Sequence, residues 1–555
     1  MDLSRKKLLA SLCLVLLSIL IGFLCVVGFD LYGHDGHRSL DGLSYFLATA
    51  YFSGITFFVL KILIFSWKFL PAFDKRMLRF ARLFEFNKKN IVRLALIMLG
   101  AWSIYLLAYY PGSMSWDTFF QLYQWMPEAH PLTVFGQEID EYFSDGNPLF
   151  DTLLFGSFAW GSFSLFGTQN IGVFVFVVLQ SVFTAGSFSL GLCYLKKHGA
   201  STVVLLGSFA FCCLFPPIGM YCATMLKDSL FSSVFLVWLI GYFEVVRTKG
   251  RVLQGGRFLL AAIVFSLLLV LTKKTGFYLL VLSILPLLYF CKEQWARLVL
   301  CAFPPVLTLY VLMPIVIFPL LSVAPSGGQE VFGTLFQQTA RYVYEHGDEV
   351  SEDDRAVIDR VLEYDSLAEN YSWYVTDPVK NTNYGRGADK EDMQAYLAVW
   401  AKQGISDPLL YFEATFDVMG GYVSPVYAVS PRTNTGSWYD VEINEKMGLG
   451  NPECLDSIRT SVTNAYYVVS GSKVLAPFFQ LCLYSFWIPV LVSVLAFVTK
   501  NRFLGVCLVP LWISFLFLVV SPLVDTRYAL PLIYCAPLYV CMASMKTKDA
   551  ADALH

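Results

Sequence analysis

Charge is what this 555-residue chain has least of: 15% of its residues are Asp, Glu, Lys or Arg, against about 25% in a soluble protein. The deficit sits in long apolar runs rather than being spread evenly, which excludes an ordinary soluble globule. About 20 such residues cross about 30 Å of hydrocarbon as a helix. In lipid every backbone polar group must pair internally, so each run has to be helical. The runs are too continuous for the short alternating strands of an outer-membrane barrel. Also missing are a Walker loop, a Gly-rich dinucleotide loop and an HExxH pair, which argues against ATP coupling within the chain. The 13 cysteines fall mostly inside apolar runs (Cys13, Cys212, Cys213, Cys301), with Cys454 in a polar stretch. That pattern yields no disulfide framework and no paired metal-ligand spacing. The net charge of -2 says nothing about nucleic acid, but the basic patch of interleaved aromatics that such a partner needs is missing, so none is expected.

What is present is a series of thirteen apolar segments, near 7–28, 44–66, 91–110, 148–167, 170–194, 200–222, 228–246, 256–272, 274–291, 297–322, 473–499, 503–523 and 528–546. The first follows Arg5-Lys6-Lys7, lacks a small-x-small cleavage site, and reads as a retained helix. Lys and Arg set the orientation. The loop 67–93 holds eight bases against two acids and is expected inside, as are Lys196-Lys197, Arg247-Lys249-Arg251, Lys292-Arg297, Lys500-Arg502 and Lys546-Lys548. From 94 to 195 there is no Lys or Arg, while Asp117, Glu128, Glu138, Asp140, Glu141, Asp145 and Asp151 are present. An outside loop is expected there, at 111–147. Segment 323–472, with 23 acids and 10 bases, reads as an extracytoplasmic domain. It is expected to be mainly helical, with one helix over Asp353–Leu367 that buries Val357, Ile358, Val361 and Leu362. Thirteen crossings cannot leave both termini in the cytoplasm. One segment must fail to span; 148–167, rich in Gly and Ser, is the first choice and 170–194 the second. The expected fold is an all-α polytopic membrane protein with about 12 spanning helices. Residues 1–90 form two helices and a basic loop, 91–322 a transmembrane module, 323–472 the inserted domain and 473–555 the last helices with a short tail.

Ionisable groups at membrane depth are costly and call for a cause. Four places stand out, and the topology puts all four on the outside face. Tyr110-Pro111-Gly112 ends a helix, and Trp116-Asp117 then opens an amphipathic segment that includes Gln121. Asp117 is either a plain helix N-terminal acid or a catalytic carboxylate. Lys227-Asp228 follows Pro216-Pro217 and is either an interfacial ion pair or a phosphate- and substrate-binding pair. Lys273-Lys274 lies between two apolar runs on a side that otherwise avoids bases. Snorkelling to headgroups is one reading; a specific anion fits the sign better. Asp525-Thr526-Arg527-Tyr528 opens the last segment, either as a surface pair or with Arg527 gripping phosphate oxygens in a fork.

With these residues the chain resembles the GT-C superfamily of membrane glycosyltransferases, which includes protein O-mannosyltransferases, oligosaccharyltransferases and aminoarabinose transferases. More closely, it resembles a family of bacterial polytopic membrane proteins with the same layout. Asp117 stands where the superfamily keeps its catalytic acid. Asn147-Pro148-Leu149 resembles its His-Pro-Pro-Leu stretch, with His130-Pro131-Leu132 as the other counterpart. Asp228 matches the second-loop acid, Lys273-Lys274-Thr275-Gly276 the lysine turn, and Arg527-Tyr528-Ala529-Leu530-Pro531 the late Arg-Tyr-x-Leu-Pro motif. The resemblance covers about residues 90–290 and the last helices. It departs at Thr118, where many members carry a second acid, and in the two extra N-terminal helices.

The resemblance implies an inverting glycosyltransferase at the cell membrane, multi-pass with both termini cytoplasmic. The donor would be a polyprenyl-phosphate sugar and the acceptor an extracytoplasmic glycan, lipid or protein. Asp117 would be the base, and Lys227, Lys273, Lys274, Arg527 and Tyr528 would surround the phosphate. Asp228 would orient a base, bind the acceptor or, with Asp117, hold a divalent cation (Mg or Mn) if one is used. Trp116, Gln121 and Asn147 are candidate acceptor or sugar contacts, and Trp116, Tyr123 and Trp125 suit either sugar stacking or an interfacial aromatic belt. Tyr371, Trp373, Tyr374, Asn381 and Tyr384 suit polymer binding or an ordinary folded surface. The rival is a transporter or flippase of a lipid-linked sugar, for which inverted repeats and mid-helix charges are expected.

Overall fold

A computed structural model of the chain describes residues 3–67, 69–134, 137–325, 329–384, 388–431 and 441–545. The expected basic tail Lys546-Lys548 lies outside the described residues. The fold is all-α apart from three two-stranded pairings, each only two or three residues long. Among the described residues eight helices are long and apolar enough to cross a membrane: Ser11–Gly33, Gly42–Trp67, Lys88–Ala108, Leu149–Phe166, Asn170–Lys197, Lys227–Arg247, Lys292–Leu321 and Arg502–Val519. A ninth is the bent pair Thr202–Leu214 and Pro216–Cys222, and Gly256–Thr272, Thr275–Phe290 and Leu483–Thr499 are shorter apolar helices. Leu149–Phe166 has the lowest mean hydropathy of the eight, at 1.3. It nevertheless qualifies, so length and composition do not single it out as a non-spanning segment.

The centre of the bundle is Lys227–Arg247, whose best apolar window is 78% buried. Phe231, Phe235, Trp238 and Tyr242 stack ring on ring down one side of it, as residues three or four apart on a helix do. The last helix, Thr526–Ala543, lies against it and is buried nearly throughout from Ala529 to Tyr539. The bend at Pro216-Pro217, 54°, follows from the prolines: their rings cannot donate to the preceding turn. Past the bend, where Pro216–Cys222 ends, the carbonyls of Cys222 and Thr224 accept from the Gln180 side chain at 3.1 and 2.9 Å. The start of the central helix is thereby fixed from behind.

Segment 323–472 divides in two. Residues 329–419 build their own core around Phe336, Ala340, Ile358, Leu362 and Tyr396. Residues 420–431 and 441–470 instead run back over one end of the bundle. Tyr422 donates to the Leu523 carbonyl at 3.0 Å, Ser430 N–H to Thr526 Oγ1 at 2.7 Å, Gln169 N–H to the Gly448 carbonyl at 3.2 Å, and Tyr109 and Thr463 share a hydrogen bond of 2.9 Å. The helix expected over Asp353–Leu367 is Glu352–Asp359 and stops there. Asp359 accepts from Tyr364 N–H at 2.9 Å, which turns the chain, and Leu362 pairs with Tyr384. Val361 and Leu362 are still buried, but from the turn rather than from a helical face.

Candidate functional site at one end of the helical bundle

The first helix module ends at Tyr110-Pro111-Gly112. Gly112 has φ +147°, a conformation that side chains disfavour, with Val173 and Val177 close by. The turn aims Ser113–Met114 at Thr224–Met225, and the two pairs form a short parallel ladder, Ser113 with Thr224 and Met114 with Met225. Thr118 Oγ1 then donates to the Met225 carbonyl at 2.7 Å. Two loops about a hundred residues apart are thus locked in register. Asp117, three residues past one strand, meets Lys227, two residues past the other.

Asp117 Oδ2 lies 2.8 Å from Lys227 Nζ and 2.9 Å from an Arg527 guanidinium nitrogen. Arg527 is itself fixed by three devices. Asp525 caps the last helix by accepting from Arg527 N–H at 3.0 Å, and its other oxygen lies 3.5 Å from Arg527 Nε. Arg527 also donates to the Tyr528 hydroxyl at 2.8 Å. Lys227 additionally donates to Asn147 Oδ1. A carboxylate bridged by two cations takes a charge-assisted hydrogen bond from each.

Beside this triad stands a second pair. Asp228 is 0% exposed, and its Oδ1 accepts from Lys273 Nζ at 2.5 Å. The Lys273 ammonium also lies 5.4 Å from both the Phe231 and the Tyr528 ring centres, within cation–π reach. The lysine turn is held tight because Gly276 approaches the Leu269 carbonyl so closely that a Cβ would fall 2.0 Å from the oxygen. Lys274 goes elsewhere: its ammonium lies 3.0 Å from Asp145 Oδ2 and also meets the Asp145 carbonyl. Burial pushes the Asp145 carboxyl above its ordinary range, against the opposing pull of Lys274.

Of the residues singled out by sequence, Asp117, Lys227, Asp228, Lys273, Arg527, Tyr528 and Asn147 therefore form one connected cluster. Lys274 joins its edge through Asp145. Trp116 stands at the rim, 56% exposed, with its ring near Phe119. Gln121 is placed differently: fully buried, it donates to Thr152 Oγ1 at 3.1 Å and packs the amphipathic segment onto Leu149–Phe166. Trp125 likewise donates to the Thr152 carbonyl at 3.2 Å. His130 stacks on Tyr142, ring centres 4.0 Å apart, so it is Asn147 that occupies the lysine side of the cluster. The bland readings of Lys227-Asp228 as a pair with each other, and of Lys273 as a snorkelling base, give way to partners on distant segments. Among the described residues no group of three or more His, Cys, Asp or Glu side chains is arranged to hold a metal ion. Two acids were not picked out by sequence: Asp145, and Asp151 on the first turn of Leu149–Phe166. The available signal for Asp151 was an acid inside an apolar run that otherwise excludes charge.

A family profile, that of the family of unknown function DUF6020, matches residues 72–554. The chain belongs to that family. Every member of the cluster lies within the span that DUF6020 covers, whereas the N-terminal helix pair lies before it. No curated protein matches the chain, and no solved structure does.

Proposed function

We propose that this DUF6020 protein is a membrane glycosyltransferase that moves a sugar from a polyprenyl-phosphate-linked donor to an acceptor outside the cytoplasm. The observation that carries the reading is the meeting of Asp117 with Lys227 and Arg527, beside Lys273 and Asp228, at one end of apolar helices. A lipid-linked phosphate keeps its tail in the bilayer and its charge at that depth, so bases gathered there suit it. The finer architecture belongs to the same reading: about twelve crossings in a GT-C-like module, both termini cytoplasmic, and segment 323–472 outside.

In the resting protein Asp117 fills the anionic place between Lys227 and Arg527. A donor phosphate competes for these two cations, and their shift toward it leaves the Asp117 carboxylate free to act as a base. The acceptor hydroxyl then gives its proton to Asp117 while its oxygen bonds to the anomeric carbon. The bond from that carbon to the phosphate oxygen breaks, and its electron pair leaves with the lipid phosphate. Lys227, Lys273 and Arg527 stabilise that growing charge, and no strong general acid is needed. A single displacement of this kind inverts the anomeric centre.

The test uses full-length protein in lipid nanodiscs with polyprenyl-phosphate sugars and candidate glycan, lipid and protein acceptors. Asp117→Asn is expected to lose transfer by about a hundred- to ten-thousandfold while folding normally, because an amide oxygen still accepts from Lys227 and Arg527. Unchanged transfer in that variant removes Asp117 as base. Movement of the lipid across liposomes without glycosyl product favours the flippase.

A further inference from the structure

Two acids, Asp151 and Asp417, are fully buried with neither carboxyl oxygen hydrogen-bonded among the described residues, and Asp151 is the one beside the cluster. It is 0% exposed, and neither carboxylate oxygen has a hydrogen-bond partner among the described residues. A buried carboxylate left this way is costly and asks for an explanation. The charges acting on it are the Lys227 ammonium and the Asp228 carboxylate, which places it at the cluster rather than on the far side of its helix. Asp228 has an opening of its own: Oδ1 is taken by Lys273, but Oδ2 is buried with no hydrogen-bond partner among the described residues. The neighbouring donors are committed, Lys227 to Asp117 and Asn147, and Lys273 to Asp228 Oδ1. What is left is a set of buried acceptor atoms with no donor, next to a set of cations.

We propose that Asp151 and the Asp228 Oδ2 atom form a subsite that accepts hydrogen bonds from the hydroxyl groups of a sugar. The chemistry follows from the inventory. Carboxyl oxygens left without a donor call for one, and a hydroxyl, which both donates and accepts, suits a carboxyl with or without its proton. Hydroxyls on adjacent sugar carbons present two O–H donors to the two oxygens of one carboxylate. The bases next to it call for an anion in the same ligand. A glycosyl phosphate carries both features on neighbouring atoms, with its phosphate toward Lys227 and Arg527 and its ring toward Asp151 and Asp228. The subsite rests on the transferase reading and adds to it which residues hold the sugar of the donor.

The experiment measures binding to full-length protein in nanodiscs by isothermal calorimetry. The probes are farnesyl phosphate, which has no sugar, and farnesyl phosphate carrying glucose, galactose, mannose or arabinose. Wild type is expected to bind at least one sugar-bearing probe about tenfold or more tightly than farnesyl phosphate, the size of a charged hydrogen bond gained. Asp151→Asn and Asp151→Leu are expected to lose that gain while binding farnesyl phosphate as tightly as wild type or more so. Their ligand-free melting temperature is expected to equal or exceed that of wild type, because a buried carboxylate without donors has been removed. A gain that survives in both variants overturns the subsite, and so does the lack of any gain in wild type that still binds farnesyl phosphate. A fall of the melting temperature by several degrees in both variants makes Asp151 a structural partner of Lys227 and also overturns it. If wild type binds none of the five probes, the phosphate-binding reading fails first and the subsite with it.

Discussion

The molecule holds two buried charge clusters, built on different plans. The first, at the end of the bundle, draws Asp117, Lys227, Asp228, Lys273 and Arg527 from four segments far apart in sequence. The second lies in the segment 329–419 core region, where Arg341, 2% exposed at its side chain, faces Glu345 at 3.3 Å and Glu413 at 3.9 Å. Here the opposing surface is the loop between the first two helices. Gly36 offers its carbonyl to Arg341 at 3.2 Å, Arg38 pairs with Glu413, and the Tyr32 hydroxyl donates to the Asp417 carbonyl at 2.9 Å. Backbone groups make up much of the second cluster; side chains make up the first. The second therefore reads as a fastening between a helix pair and a domain. Both clusters leave carboxyl oxygens without a hydrogen bond among the described residues, on Asp151 and Asp228 in the first and on Asp417 in the second. Charge alone does not mark a site. What marks it is positioning by independent backbone devices: a strand ladder, a proline bend and a helix cap.

The comparison breaks most visibly at Lys273. Lys273→Met leaves Asp228 buried with no counter-charge, an expected loss of about 3–5 kcal/mol. Thermal unfolding in detergent should show it, and Asp228→Asn in the same chain should restore much of the loss. If Lys273→Met melts like wild type, the pair is not a buried ion pair at all. Arg341→Met is the matching cut in the second cluster. It leaves Asp417 without its nearby cation while Glu413 keeps Arg38, and a carboxyl that holds its proton easily loses less, about 1–3 kcal/mol. Its distinguishing readout is local: the helix pair Leu3–Gly33 and Gly42–Trp67 should become sensitive to protease while the proposed transfer stays near wild type. Arg38→Ala, half-exposed at 48%, should cost no more than about 1 kcal/mol.

The sequence made the two plans partly visible. Long apolar runs carry their helices openly, because length and hydropathy suffice. The motif ends at Asp117, Lys227-Asp228, Lys273-Lys274 and Arg527 were legible because charge beside apolar runs is rare. Who pairs with whom was not. The Asp117–Lys227 contact depends on a two-residue ladder between Ser113–Met114 and Thr224–Met225, too short to leave a strand pattern. Gln121 looked like a site residue because polarity near Asp117 was the only available guide; its helix turns it toward Thr152 instead. The return of residues 420–431 and 441–470 over the bundle was hidden for a related reason: Tyr422 and Ser430 reach it through single hydrogen bonds to Leu523 and Thr526. Asp417 gave no signal either, since an acid on a short amphipathic helix is ordinary until its neighbours are known.

The smallest and sharpest test separates the clusters by pH. Burial pushes the Asp417 carboxyl up to about 8, against the pull of Arg341 and with help from Glu413. Glu413 is raised as well, again by burial first, with Arg38 and Arg341 opposing. A raised acid holds its proton in the folded protein and releases it on unfolding at any pH above its ordinary value near 4. Between those limits the native state binds more protons than the unfolded one, so stability falls as pH rises and levels off above about 8. The melting temperature of the full chain in detergent should therefore decline from pH 5 to pH 8. Asp417→Asn should flatten most of that slope, and Glu413→Gln a smaller part. A slope unchanged in Asp417→Asn but abolished in Asp145→Asn would move the titrating group to the edge of the first cluster, where burial also raises a carboxyl.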